Sequence, residues 1–102
     1  MVTKSKFKLL WDKAALDELV EIIDYIYKES PQGARIVRDS IQSQVNSIKK
    51  KPLIFEVDHL KMNNDGSFRS NTVYSYRITY KISKNQIFIL RVRHTSREPL
   101  EY

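Results

Sequence analysis

The chain has 102 residues, and its 18 Lys and Arg side chains against 12 Asp and Glu side chains give a formal net charge of +6. This length predicts a single domain over residues 1–102, and the absence of cysteine, with only two histidines, excludes disulfides and predicts no metal or other cofactor. No apolar run reaches the ~18 residues of a membrane span, which predicts a soluble, cytoplasmic protein whose positive charge favours an anionic partner, either nucleic acid or an acidic protein surface.

The first half of the chain predicts one short strand followed by two helices. Residues 6–11 (KFKLLW) are typical of a strand, and Asp12 is placed to cap a helix over residues 13–29 with its side chain. Apolar residues recur in this helix at helical spacing, at Leu16, Leu19, Ile23 and Ile26. Ser30 and Pro31 then end the first helix and begin a second, which stops before Pro52. The two helices predict an antiparallel hairpin that packs on a sheet.

The second half predicts a loop and three strands. Residues 53–67 have no clear hydrophobic period and contain the turn sequence Asn-Asn-Asp-Gly, so we predict a loop or mobile arm there. Residues 67–73 predict a strand, and residues 76–82 alternate apolar and polar side chains as a half-buried strand does. Residues 83–86 predict a turn that returns the chain as a last strand over residues 87–93. The element order is β-α-α-β-β-β, which indicates an α+β fold.

The two faces of the last hairpin carry different side chains. Alternation predicts that Phe88, Leu90 and Val92 lie on the core face of the last strand. The opposite face then combines apolar and basic residues, at Arg77, Lys81, Ile87, Ile89, Arg91 and Arg93. Guanidinium groups clustered in this way bind phosphates or carboxylates in bidentate fashion. The alternative is a solvated face on which arginine stems cover the isoleucines.

Short motifs follow one another along nearly the whole chain in an order typical of one protein group. They are Trp11 with Ala14-Ala15, Ser30-Pro31 with Ala34, Lys51-Pro52, Phe68-Arg69-Ser70, YRITY at 76–80, and IFILRVRH at 87–94 followed by Arg97-Glu98-Pro99. This order resembles the RelE/ParE superfamily of toxins from bacterial type II toxin–antitoxin systems. The resemblance implies an N-terminal strand and a helical hairpin packed on a twisted antiparallel sheet. It also implies a cognate antitoxin as partner and a toxin–antitoxin hetero-oligomer.

The end of the chain is more similar to the ParE branch of this superfamily. That resemblance implies growth inhibition by binding and poisoning of DNA gyrase, in a plasmid-stabilising module, without hydrolysis by the toxin itself. The candidate contact residues are five arginines, at Arg69, Arg77, Arg91, Arg93 and Arg97.

Two other functions stay open at the level of the sequence. The RelE branch implies ribosome-dependent cleavage of messenger RNA, with Arg77 and Arg93 holding the scissile phosphate and His94 or Tyr102 moving the proton. A non-toxic basic module that binds nucleic acid or serves as an adaptor is the third possibility.

Each candidate also has a structural interpretation. Alternation puts His94 on the core side of the last strand, which favours a hydrogen-bonded structural role. Arg69 is placed to anchor a loop, and Arg97 to cap a chain end. Tyr102, as the last residue, is typical of a frayed terminus.

Overall fold

A computed structural model describes residues 7–97 of the chain, as a helical hairpin and one five-stranded sheet. In chain order the elements are β1 Lys8–Trp11, α1 Lys13–Glu29, α2 Pro31–Lys50, β2 Glu56–Val57, β3 Phe68–Val73, β4 Tyr76–Ser83, β5 Gln86–His94 and a 3-10 turn Thr95–Arg97. In the sheet the strands lie in the order β1-β5-β4-β3-β2. None of the helices in the described range is long and apolar enough to cross a membrane.

The helices begin and end where their flanking residues predict, but they are capped in two different ways. Ser30 caps α2 with its side chain, because its Oγ accepts a hydrogen bond from the Gly33 amide at 2.9 Å and Pro31 occupies the first turn. Asp12 precedes α1 in an extended conformation, and its side chain makes no capping hydrogen bond. Its amide instead donates to the Ile89 carbonyl at 2.9 Å. The predicted Asp12 side-chain cap is therefore wrong, and this residue joins the start of α1 to the sheet.

The sheet is mixed rather than wholly antiparallel. The β3–β4 and β4–β5 pairs are antiparallel, as predicted, and the β2–β3 pair is antiparallel too. By contrast β1 runs parallel to β5, with Lys8 opposite Gln86 and Trp11 opposite Ile89. Parallel neighbours need a long connection, and here the helical hairpin and the rest of the sheet supply it. Because β1 pairs with residues 86–89, the outer edge of β5 beyond Ile89 has no neighbouring strand within residues 7–97.

A β-bulge in β5 changes which of its side chains enter the core. Tyr80 lies opposite Ile89 and Thr79 lies opposite Arg91, so Leu90 has no partner in β4. Ile87 and Ile89 therefore lie on the core face and are 0% exposed. The prediction that Phe88 and Leu90 fill the core, with Ile87 and Ile89 outside, is wrong for these four residues. Beyond the bulge Val92 is on the core face, as predicted, and is 1% exposed.

The core lies between the helical hairpin and one face of the sheet. The helices contribute Ala15, Ile41, Val45 and Ile48, and the sheet contributes Ile78, Tyr80, Ile87, Ile89 and Val92. At the centre of the sheet the Tyr80 hydroxyl donates a hydrogen bond to the Pro52 carbonyl. This bond joins β4 to the segment that follows α2, and burial raises the pKa of the Tyr80 phenol to about 12.

The segment between α2 and β3 is held to the sheet by side chains, which differs from the mobile arm that the sequence predicts. Asn64 donates from Nδ2 to the carbonyls of Asp58 and Phe68, at 3.1 and 2.7 Å, and its Oδ1 accepts from the Gly66 amide at 2.8 Å. Residues 56–57 form the short strand β2 on β3. A two-residue strand has no readable period, so the sequence does not reveal it.

Candidate functional site

Three of the predicted arginines start from the same face of the sheet. Arg77 in β4 lies directly opposite Arg93 in β5, and Arg91 lies opposite Thr79. This face is the one turned away from the helices, because the alternate residues Ile78 and Val92 enter the core. The three guanidinium groups then reach in two different directions.

Arg77 reaches toward the β2 side of the sheet and pairs with Asp58. Its NH2 group donates to Asp58 Oδ1, an oxygen that also accepts from the Leu60 amide at 3.0 Å. The Asp58 side chain is fully buried, and 19% of the Arg77 side chain is exposed. This ion pair fixes the connection between β2 and β3 against the sheet.

Arg91 and Arg93 reach the opposite way, around the free edge of β5, and share one carboxylate of α1. Arg93 Nε lies 2.9 Å from Glu18 Oε2 and Arg91 NH1 lies 3.6 Å from the same oxygen. The Arg93 N–H is not aligned for a hydrogen bond, so this contact is electrostatic. Glu18 Oε1 accepts instead from the Val92 amide at 3.1 Å.

The basic patch predicted on the sheet is therefore not an open cationic surface. Asp58 and Glu18 hold all three arginines within the chain. Alternation identifies the face from which a side chain leaves a strand, but it gives no information on carboxylates supplied by a helix or a loop. One sequence signal pointed to Glu18, because it is next to Leu19 and one turn before Ile22, on the apolar side of α1.

Arg69 lies apart from the other three arginines. It is opposite Tyr80 in the register, which puts it on the other face of the sheet. Its NH1 donates to the Phe55 carbonyl at 2.8 Å and its Nε donates to the Gly66 carbonyl at 3.2 Å. Arg69 thus anchors the residue before β2 and the end of the connection between β2 and β3, which is the structural interpretation considered from the sequence.

His94 lies on the helix side of the sheet, at the end of β5. Its ring meets the Tyr76 ring edge to face, with 5.5 Å between the ring centroids. The Ser96 amide donates to His94 Nδ1 at 3.1 Å, and the Ser96 hydroxyl lies 2.8 Å from the same nitrogen. Since Nδ1 accepts a hydrogen bond, the neutral ring carries its proton on Nε2. His94 is therefore arranged as a donor at Nε2, and not as a base at that atom.

A groove of about 470 Å³ runs between α1 and the end of β5. It is lined by Glu18, Glu21, Ile22, Tyr25, Tyr76, Val92, Arg93, His94 and Ser96. The groove brings Arg93 and His94 together, but Arg77 does not line it and pairs on the far side of the sheet with Asp58. Arg97 ends the 3-10 turn after β5, and Tyr102 lies outside the described residues.

The described residues contain no cluster of His, Cys, Asp and Glu that could hold a metal ion. The chemistry available at the groove is ion pairing through Arg93, hydrogen bonding through His94 and Ser96, and apolar contact through Tyr76. These are groups suited to binding a polar, partly apolar partner.

The fold and the site together define a small basic α+β protein, in which a helical hairpin packs on a mixed sheet with an arginine-rich last strand. A family model described as the ParE toxin of the parDE type II toxin–antitoxin system matches residues 9–99. The chain belongs to this family and is a type II toxin.

Comparison with solved structures shows that the fold is shared. A similar structure is that of a chromosomal ParDE toxin–antitoxin system from P. aeruginosa, with 18% sequence identity and a TM-score of 0.71. The match covers 89% of this chain and 98% of that chain, and at this identity it shows the shared fold. The predicted α+β fold and the predicted superfamily are confirmed. No curated protein matches the chain in a sequence search.

Proposed function

We propose that this protein inhibits growth as the toxin of a plasmid-stabilising module, by binding and poisoning DNA gyrase in the cytoplasm without a hydrolytic step of its own. The match to the ParE toxin family over residues 9–99 carries this proposal. The family description refers to a two-component system, so the proposed partner is a cognate antitoxin that forms a hetero-oligomer with the toxin.

The arrangement of the candidate residues supports a binding mechanism. A nuclease of the RelE type would need Arg77, Arg93 and His94 around one phosphate. Here Arg77 pairs with the buried Asp58, whereas Arg93 pairs with Glu18 at the other side of the sheet. His94 starts from the opposite face and accepts hydrogen bonds from Ser96 at Nδ1. The three groups therefore have no common target.

The same geometry divides the five arginines by role. Arg69 and Arg77 hold the connection between β2 and β3 and position that surface. Arg91 and Arg93 lie at the open edge of β5, with 27% and 21% of their side chains exposed. We assign target contacts to these two residues and to Arg97, which follows in the turn after β5.

A supercoiling assay with purified gyrase tests this function. Added toxin should abolish supercoiling of a relaxed plasmid and should leave gyrase-linked double-strand breaks. Arg91→Gln should weaken the inhibition at least about tenfold, since losing a charge-assisted contact at an interface costs about 2 kcal/mol. Arg38→Gln is the matched control, because it removes the same charge from an exposed arginine of α2.

The control should inhibit as the unchanged toxin does, and melting curves should show that both variants fold. Unchanged supercoiling at toxin concentrations that stop growth would contradict the proposal. Rapid cleavage of translated messages in expressing cells, without DNA breakage, would assign the toxin to the ribosomal mechanism instead.

A further inference from the structure

One amide donor and two guanidinium groups surround the Glu18 carboxylate at the edge of β5. The Val92 amide donates to Oε1 at 3.1 Å, and the guanidinium groups of Arg93 and Arg91 lie 2.9 and 3.6 Å from Oε2. Only 19% of the Glu18 side chain is exposed. Two guanidinium groups and an oriented amide form a built receptor for an anion, and its present occupant is a side chain of the protein itself.

The receptor exists because β1 is short. Pairing between β1 and β5 ends at Trp11 and Ile89, so within the described part of the chain the Val92 amide has no strand beside it, and it donates to Glu18 instead. Two positive charges face one negative charge there, which leaves the receptor with an excess positive charge. An added carboxylate would therefore be attracted to it.

The adjoining groove favours a peptide over a nucleic acid. It continues from the receptor along apolar surface of Ile22 and Tyr76, and His94 and Ser96 add polar groups. The open backbone edge of β5 also suits an extended peptide, which can pair with a strand through its main chain.

We propose that the edge of β5 at Arg91, Val92 and Arg93 binds an acidic side chain of an extended peptide from a partner protein, and that Glu18 occupies this receptor until the peptide carboxylate replaces it. The inference stands on the geometry of the receptor and does not depend on gyrase. That the peptide belongs to the antitoxin rests on the proposed function.

Substitution of Glu18 tests the replacement directly. Glu18→Gln keeps an oxygen for the Val92 amide but removes the charge that holds the two arginines. Anisotropy with a labelled peptide of alternating Glu and Leu should show binding to this variant roughly three- to tenfold tighter than to the unchanged protein, as expected when a competing ion pair is removed. The gain should vanish when Arg93→Gln is added.

Glu21→Gln is the matched control, because it changes the net charge equally, on the same helix and in the same groove. It should alter the peptide affinity less than about twofold, as an exposed carboxylate outside the ion pairs does. An equal gain in peptide affinity for both variants would show that the effect comes from net charge alone, and would overturn the proposal. An equal gain for a thymidine oligonucleotide would show that the receptor prefers phosphates, and would overturn the peptide assignment.

Backbone and side-chain NMR locates the binding independently of affinity. Titrating the unchanged protein with the acidic peptide should shift the Val92 amide and the Nε–H resonances of Arg91 and Arg93. A peptide of alternating Gln and Leu should leave these resonances in place. Shifts confined to other surfaces would refute the assignment. Neither assay contains gyrase, so a failed supercoiling test and a failed peptide test remain separate results.

Discussion

At the scale of single residues, two buried or half-buried carboxylates decide what the arginines do. Asp58 and Glu18 come from a loop and a helix, and each removes guanidinium charge from the surface that the sequence predicts to be basic. The alternation of polar and apolar residues in β4 and β5 predicted the face on which Arg77, Arg91 and Arg93 lie. Their partners were not, because these contacts join residues far apart in the chain and follow no period.

Asp58→Ala should destabilise the fold substantially. The change leaves the mostly buried Arg77 guanidinium without its carboxylate, and breaking a buried pair from one side costs about 3 kcal/mol or more. Urea denaturation monitored by circular dichroism measures the loss. Asp39→Ala is the control, since it breaks the exposed pair with Arg38 and should cost less than about 1 kcal/mol. Similar losses in the two variants would show that the Asp58 pair does not stabilise the fold.

At the scale of secondary-structure elements, the helices were predictable and the last strand was not. Helical spacing and the Ser30-Pro31 boundary give α1 and α2 within a residue of their observed bounds. Residues 87–90 of β5 are all apolar, so nothing in the sequence assigns their faces or marks the bulge at Leu90 that exchanges the two faces. The side-chain bonds of Asn64 and Arg69, which turn a predicted mobile arm into an anchored one, are equally invisible to a local pattern.

Truncation of Ile89 tests the corrected face of β5. Ile89→Ala removes a side chain that is 0% exposed and packed in the core, so it should lower the free energy of unfolding by about 3 kcal/mol. Ile54→Ala makes the same chemical change at a side chain that is 58% exposed, and should cost less than about 1 kcal/mol. Chemical denaturation compares the two variants. An equal loss in the free energy of unfolding for the two variants would show that Ile89 lies on the outer face.

At the scale of the whole molecule, folding brings an acidic helix against a basic sheet. Six of the 12 acidic residues lie between Asp12 and Glu29, whereas the last two strands are rich in arginine and lysine. The net charge of +6 predicted an anionic partner. It does not show that Glu18 already forms ion pairs with two of the arginines. The sheet is also joined to the segment that follows α2, because the buried Tyr80 hydroxyl donates a hydrogen bond to the Pro52 carbonyl.

The pH dependence of the free energy of unfolding tests the contact between Tyr80 and Pro52. The pKa of Tyr80 is raised to about 12 in the folded protein, against 10.0 as the ordinary value, so folding favours the neutral phenol. Its contribution is fully present below pH 10 and is lost as the pH rises toward 12, because only the unfolded chain ionises in that window. Tyr80→Phe should remove this part of the pH dependence and cost about 1–2 kcal/mol at neutral pH, by leaving the Pro52 carbonyl unpaired.

Denaturation series at neutral pH and between pH 10 and 12 measure both effects. Tyr76→Phe serves as the comparison, since Tyr76 is a partly buried phenol of the same strand. If the free energy of unfolding of Tyr80→Phe fell between pH 10 and 12 as steeply as that of the unchanged protein, other groups would cause the loss of stability at alkaline pH.

The parallel pairing of β1 with β5 has a consequence for synthesis. β1 leaves the ribosome before the other strands described, and its neighbour in the sheet, in the part of the chain that the structure describes, comes from residues 86–89 of β5. The helical hairpin can form early from local contacts, whereas the sheet must wait for its most distant partners. A growing chain therefore has no assembled β5 edge, and no receptor for an acidic peptide, until β5 has been synthesised.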